Sequence, residues 1–123
     1  MPQLSNKIWN QDLYNSCDEP WFLCIRNQTK TYEARLEKGE WKDITVGDTI
    51  IFERDDEFVC TWVTEIKYFP NFEEAFLELG QALVPLANIT VEEVVGMYSR
   101  YYNNDDIDKY SVIAMGLQYN ALY

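Results

Sequence analysis

The chain has 123 residues, of which 47% are hydrophobic and 15% aromatic, and its formal net charge is −11. This content of core-forming residues excludes a disordered polypeptide and predicts one domain, residues 1–123, that folds without a partner. Because the chain has no histidine and only three cysteines, mixed Cys/His zinc sites and a disulfide framework are disfavoured, and we predict reduced, buried thiols at Cys17, Cys24 and Cys60.

The N-terminal residues lack the basic stretch and apolar run of a secretion signal. No window approaches the roughly 18 apolar residues of a membrane span, so we expect a cytoplasmic or nuclear protein that does not bind membranes. A first strand is predicted over residues 7–14. A short helix is predicted over residues 19–28, since Trp21, Phe22 and Ile25 recur at helical spacing after an Asp-Glu-Pro start.

A strand is predicted over residues 31–36, where apolar and polar side chains alternate, and two antiparallel strands are predicted after it. In residues 31–36, Tyr32, Ala34 and Leu36 form the inner face, and Thr31, Glu33 and Arg35 form a polar, charged face. A structural turn at Gly47 and Asp48 leads into the first strand of the pair, and the second spans residues 58–69. Both faces of the second strand are largely apolar, which predicts a central position in a closed or nearly closed sheet.

Two helices with capping signals precede the last predicted strand. Asn71 with Glu74, and Thr90 with Glu93, have capping-box spacing, and the second helix is predicted to end near residue 102. A buried strand then spans residues 110–117. The acidic runs 53–57 and 103–108 are interpreted as solvated loops without chemistry, and the overall mixture is α+β with local strand pairing.

The charges are unevenly distributed along the chain. Five of the ten basic residues and three acidic residues lie between positions 26 and 42, giving this segment a local charge of +2 and the remainder −13. An acidic body repels polyanions at long range, so any contact with nucleic acid is expected to be short and local. Generic binding of duplex DNA is therefore disfavoured.

Several strings occur in an order that resembles a known family. Residues 20–22 read Pro-Trp-Phe, residues 30–36 read Lys-Thr-Tyr-Glu-Ala-Arg-Leu, a Gly-Asp turn opens the strand that ends at residue 52, and aromatic strings occur at 68–72 and 101–113. Over residues 20–119 this order resembles the ASCH domain family of the PUA-like superfamily. The resemblance implies a small PUA-like β-barrel flanked by about three helices, with a cleft for RNA or a nucleotide beside a Lys-x-x-Glu-x-Arg segment.

The resemblance also assigns candidate ligand-binding residues. Lys30 and Arg35 carry the positive charge that suits phosphate, and Glu33 can accept hydrogen bonds from the amino edge of a base. A shared site requires Lys30 to precede the strand, because in a regular strand it would face away from Glu33. The alternative role of Arg35 is a solvated ion pair with Glu33 or Glu37. The predicted ligand-binding set is Lys30, Thr31, Glu33, Arg35 and Trp41, with Trp41 as a base-stacking residue.

Two positions depart from the family pattern. Gln28 stands where the family motif has glycine, and Ser111 replaces a glycine before the last strand. A glycine there would permit left-handed backbone and a close ligand approach, so Gln28 bears on the shape of the cleft.

Three functional hypotheses follow. The first is a binding module for short single-stranded RNA or a modified nucleotide, with no cofactor, metal or catalytic residue. The second is an enzyme, an amidohydrolase on acylated cytidine or a ribonuclease, and it is disfavoured. Glu33 occupies the threonine position of the family's Lys-x-x-Thr hydrolases, residues 86–88 offer no later glutamate, and histidine is absent. The third is an acidic protein that docks on a basic protein partner or mimics nucleic acid.

Overall fold

Five strands and four helices lie along the part of the chain that the computed structural model describes, residues 8–12, 21–54 and 56–120. The strands are β1 (Ile8–Asp12), β2 (Tyr32–Leu36), β3 (Thr49–Arg54), β4 (Glu57–Phe69) and β5 (Val112–Tyr119). The helices are α1 (Trp21–Arg26), α2 (Phe72–Leu79), α3 (Val91–Ser99) and α4 (Asn104–Lys109), and 3-10 turns lie at Gly39–Asp43 and Gly80–Ala82. This is the predicted α+β class.

The strands form one sheet in the order β1-β3-β4-β5-β2. β1 runs parallel to β3, and every other neighbouring pair is antiparallel. β4 is central, as its two apolar faces predicted. In β2, Ala34 pairs with Ala114 and Glu33 with Met115, so the site-bearing strand lies at one edge of the sheet beside β5.

The sheet curls into a half-barrel, and β4 changes register where it pairs with β5. An irregularity between Val63 and Glu65 leaves Thr64 as an extra residue, which bends the long strand. Opposite this bulge, a Cβ on Gly116 would lie 3.0 Å from Glu65 Cγ and 3.0 Å from Thr64 Oγ1. The absence of a side chain at Gly116 therefore allows the two strands to approach at the bend.

The sheet separates two hydrophobic clusters, and β5 contributes to both because its successive side chains point to opposite faces. Ile113 and Met115 pack with Phe22 and Ile25 of α1 in one cluster. Ala114 lies on the other face. That second cluster includes Val112, Ala114, Leu36, Phe69, Phe72, Ala75, Leu83, Val84, Val94 and Met97.

The capping residues confirm the predicted starts of two helices. The Asn71 side chain accepts a hydrogen bond from the Glu74 backbone N–H at 2.8 Å. At α3, both bonds of the capping box are present between Thr90 and Glu93, at 2.9 and 3.1 Å. These bonds satisfy N–H groups that a helix leaves without intrahelical partners.

Some predicted boundaries were wrong. The 103–108 run is not a solvated loop, because Asn103 accepts from the Asp106 N–H at 2.8 Å and starts α4 there. The described residues thus contain four helices rather than three. In addition, α1 ends at Arg26, α3 ends at Ser99, and β5 begins two residues later than predicted and ends at Tyr119. The predicted start of α1 at residue 19 lies outside the described residues.

The remaining acidic and turn predictions have mixed outcomes. The described residues of the run 53–57 lie mostly in strands rather than in a separate loop, since Glu53 and Arg54 end β3, Glu57 begins β4, and Arg54 pairs with Glu57. The turn at Gly47 and Asp48 is structural as predicted. The buried Asp48 carboxylate accepts the backbone N–H of Thr45 at 3.0 Å, and Gly47 has a φ of 98°.

Cys24 and Cys60 are buried free thiols, as predicted, and burial raises the pKa of Cys60. Cys17 lies outside the described residues. Within the described ranges, no helix is both long and apolar enough to cross a membrane.

Candidate functional site

The end of α1 sets the position of Lys30. The Thr29 N–H donates to the Cys24 carbonyl at 3.0 Å and the Gln28 N–H to the Ile25 carbonyl at 3.2 Å, with Gln28 at a φ of 66°. This is a Schellman motif, in which a left-handed residue ends the helix. The Lys30 N–H also donates to the Cys24 carbonyl at 3.0 Å, so the motif turns the chain back toward the sheet immediately before β2.

Gln28 therefore retains a conformation that favours glycine, although it replaces the family's glycine. Left-handed backbone is strained for a residue with a Cβ, so we expect Gln28→Gly to raise the free energy of unfolding by about 0.5–1 kcal/mol. Urea unfolding measures this change. The matched control is Gln81→Gly in the Gly80–Ala82 turn, where glycine is expected to destabilise. If Gln28→Gly lowers the free energy of unfolding as Gln81→Gly does, the backbone at Gln28 is not strained and the prediction is wrong.

Lys30 is a buried cation, with 4% of its surface exposed. Its Nζ donates to the Leu83 carbonyl at 2.5 Å, lies 3.6 Å from Glu33 Oε1, and lies 5.4 Å from the centre of the Trp21 ring. Burial lowers the pKa of Lys30, and the Glu33 carboxylate partly opposes this shift. The structure thus places Lys30 before β2, which is the geometry that a shared site with Glu33 requires.

Glu33 and Arg35 face the same side of β2 because they are two residues apart. Arg35 Nε and Nη2 both bond to Glu33 Oε2, at 2.9 and 2.8 Å, and the guanidinium lies 5.2 Å from the centre of the Trp41 ring. Burial is the largest single influence and acts to lower the pKa of Arg35, but the charge and hydrogen bond of Glu33 together with Tyr102 and Tyr98 outweigh it, and the pKa is raised. Glu33 thus accepts from Arg35 through one oxygen and faces Lys30 with the other.

Two tyrosines from α3 and the turn after it border this ion cluster. Burial raises the pKa of the Tyr98 and Tyr102 phenols, and the nearby charges act on it in opposite directions, since Glu33 raises the pKa and Arg35 lowers it. Phe72 stacks on Tyr98 with ring centres 3.9 Å apart and on Tyr102 at 5.8 Å. The aromatic contact joins α2 and α3 to the site.

The ASCH domain family matches residues 16–118 of the sequence, a span that includes every residue of the ion cluster. The chain belongs to the ASCH domain family. No curated protein matches it. The observed half-barrel with flanking helices is the PUA-like fold that the sequence predicted.

This ASCH domain is similar to several solved structures. Hypothetical protein PH0355 is 26% identical, with a TM-score of 0.79 and coverage of 92% of this chain and 99% of that one. Protein PF0455 from Pyrococcus furiosus is 25% identical, with a TM-score of 0.73 and coverage of 93% and 98%. ASCH from Zymomonas mobilis shares the fold at 14% identity, with a TM-score of 0.60 and coverage of 93% of this chain and 68% of that one.

The ASCH domain brings four of its five predicted site residues into direct contact. Lys30, Glu33 and Arg35 form the ion cluster, and Trp41 covers the guanidinium. The main chain of Thr31 links two elements, since its N–H donates to the Ala82 carbonyl and its carbonyl accepts from the Leu117 N–H, both at 2.8 Å. The alternative role of Arg35, an ion pair with Glu33, is present in the structure, but the pair is not solvated because Glu33 is buried.

Two aromatic residues outside the predicted set also lie at the site. Helical spacing favours a core position for Trp21 with base stacking as its alternative role, and the structure places its ring over Lys30 as that of Trp41 lies over Arg35. Tyr102 lies at helical spacing from Tyr98, at the end of the helix predicted to finish near residue 102. The four-residue spacing of Tyr98 and Tyr102 gave a shared face, but their approach to Glu33 and Arg35 depends on long-range packing. Among the described residues, no group of His, Cys, Asp and Glu side chains could hold a metal ion.

Proposed function

We propose that this ASCH domain binds short single-stranded RNA or a modified nucleotide at the ion cluster of Lys30, Glu33 and Arg35. One observation carries the proposal: two cations and one carboxylate lie together, largely buried, in a protein of net charge −11. Burying charges costs free energy, and a structural pair is often replaceable by apolar residues. A cluster with a surplus positive charge is suited to an anion.

The chemistry of the cluster fits a nucleotide. Arg35 uses Nε and Nη2 on Glu33, and its guanidinium has five N–H donors in all, so it can also bond to phosphate. Trp21 and Trp41 lie beside the two cations, and aromatic rings stack on bases with a contribution of about 1–3 kcal/mol per base. Local attraction at this cluster suits a short single strand because the rest of the surface repels long polyanions.

The contacts of the Glu33 carboxylate favour binding over hydrolysis. Its Oε2 accepts two bonds from Arg35 and its Oε1 faces Lys30, so both carboxylate oxygens are already engaged by cations of the protein rather than directed at a reacting group. Residues 86–88 read Leu-Ala-Asn, which supplies no second carboxylate. Incubation with acylated cytidine followed by mass analysis distinguishes the two functions, since turnover that Lys30→Ala abolishes would assign catalysis instead.

The distribution of acidic residues favours the RNA hypothesis over a docking site for a basic protein. The acids are dispersed over α2, α3, α4 and the β3–β4 hairpin, and several are paired with cations. Examples of these pairs are Asp106 with Lys38 at 2.6 Å, Glu78 with Lys67 at 2.9 Å, and Glu57 with Arg26.

We expect Arg35→Lys to weaken the binding of labelled single-stranded RNA about tenfold. Lysine keeps the positive charge beside Glu33 but loses the planar fork and the stacking on Trp41. Fluorescence anisotropy with short RNAs and nucleotides measures the affinity. Lys42→Ala is the matched control, because Lys42 is an exposed cation in the same basic segment, and it is expected to change Kd less than about twofold.

Two results would contradict the proposal. If the wild-type protein shows no saturable binding of any RNA or nucleotide, the proposed function is wrong. If binding is saturable but unchanged in both Arg35→Lys and Lys30→Met, the ligand binds elsewhere on the domain.

A further inference from the structure

We propose that Lys30 contacts the base of the ligand and selects bases that carry a carbonyl oxygen, which are uracil, cytosine and guanine, over adenine. This inference rests on the proposed function and names the class of base that the cluster takes. The two cations of the cluster differ in burial. The Lys30 side chain is 4% exposed and that of Arg35 is 23% exposed, so Lys30 lies deep in the cluster and Arg35 at its opening.

The Lys30 ammonium has hydrogen-bond donors that no described oxygen accepts. One of its three N–H groups donates to the Leu83 carbonyl at 2.5 Å. Glu33 Oε1 lies 3.6 Å away, beyond hydrogen-bond distance, and Trp21 offers only the face of its ring. Among the residues that the structure describes, no further acceptor contacts Lys30. A buried donor without an acceptor is unfavourable, so a ligand oxygen that accepts from Lys30 stabilises the bound state.

A neutral carbonyl oxygen suits this position better than a phosphate oxygen. Moving a phosphate from water to a buried position has a large cost in free energy, which a single ammonium does not offset. The Glu33 carboxylate already faces the Lys30 ammonium and would repel a second anion beside it. A carbonyl oxygen carries no net charge, so it can accept from Lys30 while the ion pair with Glu33 is kept.

Arg35 has the properties of a phosphate contact. Its guanidinium bonds to Glu33 through Nε and Nη2, so the two N–H groups of Nη1 are not used by that carboxylate. Its side chain reaches the opening of the cluster, where a phosphate keeps part of its hydration. Lys30 and Arg35 contact the two oxygens of one carboxylate, and this short separation allows a single nucleotide to reach both cations.

The preference among bases follows from the buried donor. Uracil, cytosine and guanine each carry a carbonyl oxygen that projects from the ring, whereas adenine has only ring nitrogens and an amino group. The amino group is itself a donor, and the ring nitrogens do not project toward a donor that is held at a fixed depth. A site with a buried donor rejects a ligand that leaves this donor unpaired, because water does not replace the lost hydrogen bond.

The first test compares nucleosides, which have no phosphate. Uridine, cytidine, guanosine and adenosine are titrated into the protein, and calorimetry measures each Kd. We expect the tightest of the first three to bind at least about tenfold more tightly than adenosine. Lys30→Met keeps an unbranched side chain without the donor and is expected to reduce this preference below about threefold. Lys42→Met, the matched change at an exposed cation, is expected to leave the preference unchanged.

The second test separates base contacts from phosphate contacts through the salt dependence of RNA binding. Each protein cation that contacts a phosphate of a single strand contributes about 0.7 to the slope of log Kd against log[salt]. We expect Arg35→Gln to lower this slope by about 0.7 on a short single strand of the preferred base. Lys30→Met is expected to weaken binding about tenfold and to leave the slope unchanged. An equal reduction of the slope by the two variants would overturn the base contact at Lys30.

A third measurement uses the wild-type protein alone, so it decides the question even if Lys30→Met does not fold. Side-chain ¹⁵N NMR follows the Lys30 Nζ and Arg35 Nε signals during titration with inorganic phosphate and then with the tightest nucleoside. We expect phosphate to shift the Arg35 signal and the nucleoside to shift the Lys30 signal. A Lys30 signal that responds to phosphate and not to the nucleoside contradicts the inference.

These outcomes distinguish the base contact from the proposed function. If RNA or nucleotides bind but no nucleoside binds more tightly than adenosine, the base contact at Lys30 is wrong and the proposed function stands. If the wild-type protein binds no RNA, nucleotide or nucleoside, both are wrong.

Discussion

We expect Glu33→Ala to lower the free energy of unfolding by about 3–5 kcal/mol, because it leaves two cations without their shared counter-charge. Lys30 is 4% exposed and Arg35 is only partly exposed, so water can replace little of the lost interaction. Urea unfolding at neutral pH measures the loss. Lys30→Met combined with Glu33→Ala is expected to recover part of it, since the double variant removes one of the buried cations.

The destabilisation by Glu33→Ala should also depend on pH in a defined direction. Burial lowers the pKa of Lys30 and Glu33 opposes that effect, so the variant has a still lower Lys30 pKa in its folded state. The unfolded state then binds more protons than the folded state below the ordinary value of 10.5, and the stability of the variant rises with pH toward that value. A loss below about 1 kcal/mol, or a loss that grows with pH, would contradict this account.

The control for this prediction is Glu40→Ala. Glu40 is an exposed carboxylate in the Gly39–Asp43 turn, close to Glu33 in sequence. Substitutions at exposed positions change stability by about 0.5 kcal/mol or less. A similar loss for Glu40→Ala and Glu33→Ala would show that the site cluster has no special energetic role.

Phe72→Ala is also expected to lower the free energy of unfolding by about 3–5 kcal/mol, because it removes a buried apolar ring. Phe72 is 3% exposed and lies between the second hydrophobic cluster and the rings of Tyr98 and Tyr102. Removing its ring leaves a cavity where α2 meets α3 and ends a stacked contact worth about 0.5–1.5 kcal/mol beyond its buried area. Thermal and urea unfolding measure the change.

Phe58→Ala provides the same substitution at an exposed site. Phe58 is 55% exposed at the start of β4, so its truncation leaves no closed cavity, and we expect a loss below about 1 kcal/mol. The prediction for Phe72 fails if the two variants unfold at similar urea concentrations.

The parts of the fold that sequence predicted are those governed by local chemistry. Asn71 and Thr90 identified the helix starts because capping bonds involve residues three apart. The long apolar segment 58–69 indicated a central strand because both of its faces need cover. It did not show that Phe58 and Trp62 of this strand are 55% and 46% exposed, since exposure depends on what packs over each face.

The candidate site was predicted in its charged residues but not in its surroundings. Lys30, Glu33 and Arg35 lie within six positions, so their proximity follows from one turn and one strand. The burial of these three side chains does not follow from the local sequence. The partners that close the cluster, Leu83 and Tyr102, come from distant segments, and no local pattern shows where those segments pack. The left-handed conformation of Gln28 was indicated only by the family's glycine at this position, because glutamine itself rarely adopts it.

The parallel pairing of β1 with β3 has a topological consequence for the site. Parallel neighbours cannot be joined by a hairpin, so the chain between them must cross over the sheet. Here that crossover contains α1 and β2, and it travels from one edge of the sheet to the other before returning to β3. The candidate binding residues are therefore part of the connection that the topology demands, and this stretch cannot be shortened to a turn while the order of the strands is kept.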